Sequence, residues 1–186
     1  MRALIVTENI TLDGVIDATD GWFDPAGDGD VDQSDLEAEL RTQREAADAL
    51  LMGRVTFEEM RGYWPLQTDD PSGTADYLDA VSKYVVSGTM RDPEWDRSTV
   101  LSGALVSEVE QLKAEDGRDI VTTGSITLVH GLIEAGLVDE YRLFVYPVVI
   151  GRGRRLFADP SETSRLRLED AQPFHSGVVL LRYRRA

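Results

Sequence analysis

The sequence predicts an α/β fold in which helices pack around a largely parallel sheet. Strand-like and helix-like segments alternate along most of the 186 residues, which is typical of parallel strands joined by helical crossovers. At 50–59 and at 119–126 the chain passes from an apolar strand through glycine directly into a helix. Near the end, the segments 165–168 and 178–183 indicate a closing antiparallel pair.

The chain starts with an apolar strand at 3–7, followed by a loop at 11–17. The next stretch, 21–29, is rich in glycine and aspartate and carries Trp22 and Phe23. A loop that holds large apolar rings usually folds them over another part of the molecule. We therefore expect these two rings to cover a binding site.

Ser34 is predicted to cap a helix that runs from Asp35 to about Ala47, with its apolar side chains on one face. A short buried strand at 49–52 and a short helix at 57–62 follow. The segment 63–73 contains two prolines and is predicted to be a loop.

The second half continues the same alternation. Gly88, Gly117 and Gly136 mark the ends of elements, as glycine does at turns and helix ends. The predicted strands are 84–87, 99–101, 119–122 and a long one at 139–149, and the predicted helices are 105–115 and 126–135.

Composition excludes several classes of function. A net charge of -15 and a pI near 4.4 repel polyanions, so we expect no nucleic-acid partner. The chain has no cysteine and only two histidines, which argues against disulfides and against a zinc or other metal site. The longest apolar stretch, 143–150, is interrupted by Pro147 and is too short for a bilayer. We expect a cytoplasmic protein with no membrane partner.

Three strand ends carry the residues expected to bind a ligand. Gly53, Ser87 and Gly124 each close a predicted strand, and such ends meet at one edge of a parallel sheet. Helix N-termini there attract anions, Arg54 adds a charge-assisted contact, and Thr56 offers a hydroxyl. This pattern is typical of a phosphate-binding site. The alternative is an ordinary surface turn that carries an arginine and a threonine. The glycine fingerprint of the common dinucleotide fold is absent after the first strand.

The chain resembles the dihydrofolate reductase-like superfamily, and more closely its branch around the reductase domain of bacterial riboflavin biosynthesis. The similarity spans nearly the whole length and rests on several short segments: 11–14, 51–58, 85–87, 123–125 with 136–140, and 147–153. It implies one domain over residues 1–186, folded as a three-layer sandwich whose mostly parallel, twisted sheet ends in a C-terminal antiparallel hairpin. It also implies NADPH bound across the edge of that sheet.

The resemblance further implies which residues meet the cofactor. Arg54 and Thr56 match phosphate contacts, Ser87 matches a position near the 2′-phosphate, and Thr7 matches one beside the nicotinamide. Thr123 stands where the family has the first glycine of a pair, and glycine tolerates unusual backbone angles better. The full set of expected cofactor contacts is Thr7, Ile16, Gly53, Arg54, Thr56, Ser87, Gly124, Ser125 and Ile126.

The substrate side is less defined in the sequence. Asp35 is the nearest candidate for the carboxylate with which dihydrofolate reductases hold their substrate, and the alternative is an acid that only stabilises a helix start. Asp13, Trp22 and Phe23 are the expected substrate contacts, and Asp13 is otherwise a turn residue before glycine. Zinc-dependent deamination is excluded because its metal ligands are missing.

These inferences lead to one main hypothesis, an NADPH-dependent reductase of a pterin-like or ribosylamino-pyrimidine-like small molecule. The alternative is a non-catalytic domain of the same fold that binds a nucleotide or another small ligand, and a weaker one is a flavin-binding oxidoreductase. The apolar strand at 144–150 and the following loop exceed what a small sheet leaves exposed. We therefore also expect a homodimer, which light scattering tests.

Overall fold

The computed structural model describes residues 1–18, 21–22, 31–157 and 165–186. Within these residues, eight strands form one sheet: β1 (Leu4–Thr11), β2 (Ala47–Gly53), β3 (Ser82–Val86), β4 (Ser98–Leu101), β5 (Asp119–Thr122), β6 (Glu140–Tyr146), β7 (Leu166–Pro173) and β8 (Val179–Arg185). Their order across the sheet is β4-β3-β2-β5-β1-β6-β8-β7. The first six strands pair in parallel, whereas β8 is antiparallel to β6 and β7. This confirms the predicted mostly parallel sheet with an antiparallel C-terminal pair.

Five helices in the described part of the chain cover the two faces of the sheet: α1 (Ser34–Ala46), α2 (Arg54–Tyr63), α3 (Thr74–Ala80), α4 (Leu105–Ala114) and α5 (Ile126–Glu134). Side chains alternate along β1, so Ile5 packs under α2 and α3, whereas Val6 packs against α4 and α5. Leu36 of α1 packs with Phe144 of β6 on the first of these faces. None of these helices combines the length and the apolar character needed to cross a bilayer.

The structure corrects several predicted boundaries. Ser34 is the first residue of α1 and does not cap it, because Gln33 is the N-cap and makes no side-chain capping bond. Helix α2 begins at Arg54, three residues earlier than predicted, directly after the extended Gly53. The strand predicted at 139–149 ends at Tyr146, since Pro147 has no N–H to continue the ladder. The first strand continues to Thr11, where it pairs with Tyr146.

Helix α3 was not predicted. The loop expected at 63–73 contains a short 3-10 helix, Trp64–Leu66, and ends at Gly73 in the left-handed region with φ 69°. Asp70 then supplies a hydrogen-bond acceptor for the first N–H groups of α3. Its Oδ2 accepts bonds from the N–H groups of Thr74 at 2.7 Å and Ala75 at 2.9 Å. A helix of seven residues is too short to give a clear apolar period, which explains the omission.

Candidate functional site

The starts of α2 and α5 are joined to each other at the end of the sheet. The N–H of Gly53 donates to the Ser125 hydroxyl at 2.9 Å, and the N–H of Ser125 donates to the Thr56 hydroxyl at 3.1 Å. Gly124 and Ser125 both have left-handed backbones, with φ 59° and 49°, which turns the chain sharply from β5 into α5. Because β3, β2 and β5 are neighbours, the ends at Gly53, Ser87 and Gly124 lie along one edge, as the sequence predicts.

This junction has the properties of an anion site. Neither Gly53 nor Ser125 makes a side-chain capping bond to its own helix, and neither helix has an acidic residue in its first turn. The first N–H groups of a helix lack intrahelical acceptors, and its N-terminus carries partial positive charge. Two such helix starts, joined by hydrogen bonds, offer a diphosphate two sets of N–H donors.

Arg54 lies at the start of α2 and is close to half exposed. Its Nη1 donates to Glu58 Oε2 at 2.7 Å, one helical turn further along. An exposed pair of this kind contributes little to stability, so the guanidinium is available to exchange or share this partner when a stronger anion binds.

A cavity of about 210 Å³ lies on the face of the sheet covered by α1, α2 and α3. Its lining combines apolar side chains with a few hydroxyl, amide and guanidinium groups, which is the usual character of a small-molecule site. The residues around it are Thr7, Glu8, Asn9, Leu40, Gln43, Arg44, Leu50, Met60, Trp64, Thr74, Tyr77, Leu78, Val121, Thr123 and Phe144.

Arg44 and Tyr77 are neighbouring polar residues of the cavity lining. Burial lowers the pKa of Arg44, whose Nη1 donates to the carbonyl of Ser72 at 2.7 Å. Burial also raises the pKa of Tyr77 to about 12. At neutral pH this part of the lining therefore presents a cation and a neutral phenol. Sequence reasoning missed both residues, because Tyr77 belongs to the unpredicted α3 and Arg44 resembles one more surface charge of α1.

Glu8 borders the cavity from β1 and is only 4 % exposed. The N–H of Gly124 donates to its carboxyl group, but burial has the larger effect and raises the pKa of Glu8 well above its usual range. Its Oε1, like the hydroxyl of Thr122, has no hydrogen-bond partner among the described residues. Sequence reasoning missed Glu8 because a glutamate inside a strand resembles a solvent-facing position.

Comparison with known proteins identifies the family of the chain. Residues 2–180 match the family model of the RibD C-terminal domain. The chain belongs to the RibD C-terminal domain family. It is 32% identical to the YyaP protein of Bacillus subtilis (strain 168) over 186 residues, with 98% of this chain and 94% of YyaP covered. The resemblance inferred from the sequence is thereby confirmed.

Solved structures show the same fold. A candidate riboflavin biosynthesis protein from Shewanella sp. PV-4 superposes with a TM-score of 0.72 at 22% identity, over 99% of both chains. The diaminohydroxyphosphoribosylaminopyrimidine deaminase/5-amino-6-(5-phosphoribosylamino)uracil reductase of Thermotoga maritima gives 0.66 at 15% identity. The present chain is covered completely in that comparison but spans 57% of the Thermotoga protein.

In this member of the RibD C-terminal domain family, the other predicted cofactor contacts lie on both sides of the sheet. Thr7 borders the cavity. Ile126, the first residue of α5, and Ile16 are instead buried in the core on the α4 and α5 side of the sheet. Ser87 follows β3, and its hydroxyl accepts bonds from the N–H groups of Thr89 at 3.3 Å and Met90 at 3.0 Å. Ser87 thus orders the turn after β3, and its contact with a 2′-phosphate remains a prediction.

Asp35 lies away from the cavity. Its Oδ1 accepts the N–H of Leu36 at 2.9 Å, and its Oδ2 accepts the N–H of His175 at 3.0 Å. The His175 Nδ1 is 3.2 Å from the same oxygen. Asp35 therefore connects the start of α1 to the turn between β7 and β8, which favours the structural interpretation. Its catalytic role remains untested.

The predicted substrate contacts lie in the loop after β1. The Thr11 hydroxyl and the Gly151 N–H lower the pKa of Asp13 to about 2. Through bonds from the N–H groups of Ile150 and Gly151, Asp13 connects the loop after β1 to the segment 150–151. The Trp22 indole packs edge-on against Tyr146, with ring centroids 5.6 Å apart, and donates to the carbonyl of Asp17 at 2.7 Å. Phe23 lies outside the described residues, so the two-ring cover remains a prediction.

We expect Asp35→Asn to leave function intact. Asparagine keeps the acceptor toward Leu36 but loses the charge and replaces the acceptor toward the exposed His175 N–H with an amide donor, so the free energy of unfolding should fall by about 1–2 kcal/mol. Thermal and urea unfolding measure that change, and a cofactor titration with an oxidation assay measures function. A tenfold fall in turnover with unchanged stability would instead place Asp35 in the substrate site.

Proposed function

We propose that this protein is a reductase that uses NADPH to reduce a pterin-like or ribosylamino-pyrimidine-like small molecule. The observation that carries the proposal is the joined start of α2 and α5 beside a cavity bordered by Thr7 and Thr123. Membership of the RibD C-terminal domain family and the fold shared with a named reductase support the same reaction class.

The residues at the junction fit NADPH. The first N–H groups of α2 and α5 would hold the diphosphate, and Gly53 and Gly124 leave the approach to the backbone free of side chains. Arg54 would add a charge-assisted bond, with Ser87 on the neighbouring strand end toward the 2′-phosphate. NADPH, when bound, supplies the hydride, whereas the protein contributes binding and orientation.

The cavity provides the substrate pocket in this proposal. Its apolar wall, including Leu50 and Phe144, excludes water, and the hydroxyls of Thr7 and Thr123 offer hydrogen bonds. Among the described lining residues, the ionised side chain is the guanidinium of Arg44, because the carboxyl of Glu8 lies on the α5 side of the sheet and burial favours its neutral form. A cation disfavours a protonated ring. Within the proposed substrate classes, we therefore favour a neutral, carbonyl-rich pyrimidine over a protonated pterin.

An NADPH oxidation assay tests the proposal. Purified protein is incubated with NADPH or NADH and a panel of pterins and ribosylamino-pyrimidines, and the loss of cofactor absorbance is followed. We expect oxidation with NADPH and at least one pyrimidine. The test variant Thr123→Val removes a cavity hydroxyl and should slow turnover without weakening NADPH binding.

Two outcomes would contradict the proposal in different ways. Tight NADPH binding without oxidation of any substrate would support the alternative, a non-catalytic binding domain of the same fold. A yellow protein carrying tightly bound flavin would replace the NADPH assignment with a flavin-dependent one.

A further inference from the structure

Glu8 places a carboxyl group at the start of α5. The Gly124 N–H donates to this carboxyl at the turn that precedes the helix. The Glu8 side chain is almost fully buried there. Its second oxygen, Oε1, has no partner among the described residues. An ionised carboxylate at this point would compete with a bound phosphate for the positive end of α5 and would repel it.

Strand alternation explains why this carboxyl is desolvated. Glu8 follows Val6 on the face of β1 that packs toward α5, and it pairs across the ladder with the buried Leu143. Desolvation disfavours the charged form and raises the pKa of Glu8. No cation of the described residues contributes to this shift, so the buried carboxyl keeps its proton to a higher pH than an exposed one does.

We propose that Glu8 acts as a neutral carboxylic acid at the start of α5, so that its ionisation and the binding of a dinucleotide phosphate at that helix oppose each other. This inference rests on the proposed function, since it assumes that NADPH binds at the junction. Glu8 is then a positioning residue: as a neutral acid it accepts the Gly124 N–H, keeps the turn open for phosphate and adds no negative charge.

Several ionisable groups on the surrounding elements already have partners or remain neutral. Burial raises the pKa of Tyr141 on β6, and that of Tyr77 across the cavity, so both stay uncharged near neutral pH. On α5, the His130 Nε2 lies 2.8 Å from the carbonyl of Arg155. Charged groups of the described residues on these elements and nearby include Glu134 on α5, Glu140 paired with Arg142 on β6, Arg54 with Glu58 on α2, Arg154 with Asp17 and the bonded Asp13 in the loops, and Arg44 of the cavity lining.

The test is the pH dependence of NADPH affinity, measured by fluorescence titration of the intact protein. For wild type we expect the Kd to rise by about tenfold for each pH unit above the pKa of Glu8. In Glu8→Gln, which is neutral at every pH, this rise should be absent. The 2′-phosphate of NADPH loses its second proton near about pH 6, which strengthens binding as pH rises and cannot mimic the effect.

A matched control is Glu110→Gln, which removes an exposed carboxylate on α4 and should keep the wild-type profile. If Glu8→Gln does not fold, calorimetry of wild type in two buffers of different ionisation enthalpy gives the same answer. Above the pKa of Glu8, NADPH binding should take up about one proton.

The pH dependence of stability gives a second measurement without cofactor. Burial raises the pKa of Glu8 in the folded protein above its value in the unfolded chain. The stabilisation that comes from protonated Glu8 is therefore fully present below the unfolded-state pKa and is lost as the pH rises through the folded-state pKa. Glu8→Gln should remove that loss.

Two results would overturn the inference, and they are distinguishable. Parallel pH profiles in wild type and Glu8→Gln, or no proton uptake, would reject the role of Glu8 while leaving NADPH binding intact. Failure of NADPH to bind wild type at any pH would reject the proposed function and this inference with it.

Discussion

Arg54→Ala is expected to weaken NADPH binding on the order of tenfold to a hundredfold, because it removes a charge-assisted contact worth about 1.5–3 kcal/mol. In the free protein Arg54 pairs with Glu58 on the surface, so its loss should hardly change the free energy of unfolding. Fluorescence titration measures the affinity, and urea unfolding measures the stability.

Two matched variants make this test specific. Arg61→Ala removes another arginine of α2, whose Nη1 bonds the carbonyl of Pro93 at 2.9 Å, and should leave NADPH affinity unchanged. Glu58→Gln removes the competitor for Arg54 and should leave the affinity equal or higher. An unchanged Kd in Arg54→Ala would remove Arg54 from the site.

The same variant also locates the phosphate that Arg54 binds. If the guanidinium contacts the 2′-phosphate, Arg54→Ala should weaken NADPH binding but leave NADH binding unchanged. If it contacts the diphosphate at the start of α2, both cofactors should lose affinity equally.

Local sequence patterns predicted the sheet edge of the site well. A buried strand, a glycine and a helix start are adjacent in sequence at Gly53 and again at Gly124, so their order fixes where each strand ends. Parallel strands then bring these ends together without further information. The bond from Gly53 to Ser125 is the tertiary result of that local pattern.

The cavity could not be predicted in the same way. Its walls come from helices α1, α2 and α3 and from strands β1, β2, β5 and β6, which meet only in the folded chain. The unpredicted α3 supplies Tyr77, and its start depends on Asp70 in the preceding loop. Asp35 was a natural candidate because acids favour helix starts, but its bond partner, the His175 N–H, lies 140 positions away. Long-range contacts of this kind leave no local pattern.

Phe57→Ala is expected to have the largest effect on stability. Phe57 is the buried residue of α2; it packs in a cluster with Ile5 and Met52, and its ring centroid lies 5.6 Å from that of Trp95. Truncating a buried phenylalanine to alanine costs about 3–5 kcal/mol, from lost burial and from the cavity that remains. Denaturant unfolding measures the change as a lower midpoint with an unchanged slope.

This substitution also tests whether the core beneath α2 supports the anion site. Phe57 follows Arg54 and Thr56 on the same helix, so a cavity beneath it should loosen the start of α2 and weaken NADPH binding even where the protein remains folded. Val55→Ala is the control, since Val55 is 56% exposed and its truncation should change the free energy of unfolding by less than about 0.5 kcal/mol. If Phe57→Ala lowers the free energy of unfolding by less than about 1 kcal/mol, the surrounding side chains collapse into the space that the ring leaves. NADPH affinity equal to wild type in the folded variant would show that the hydrogen bonds to Ser125 alone hold the start of α2 in place.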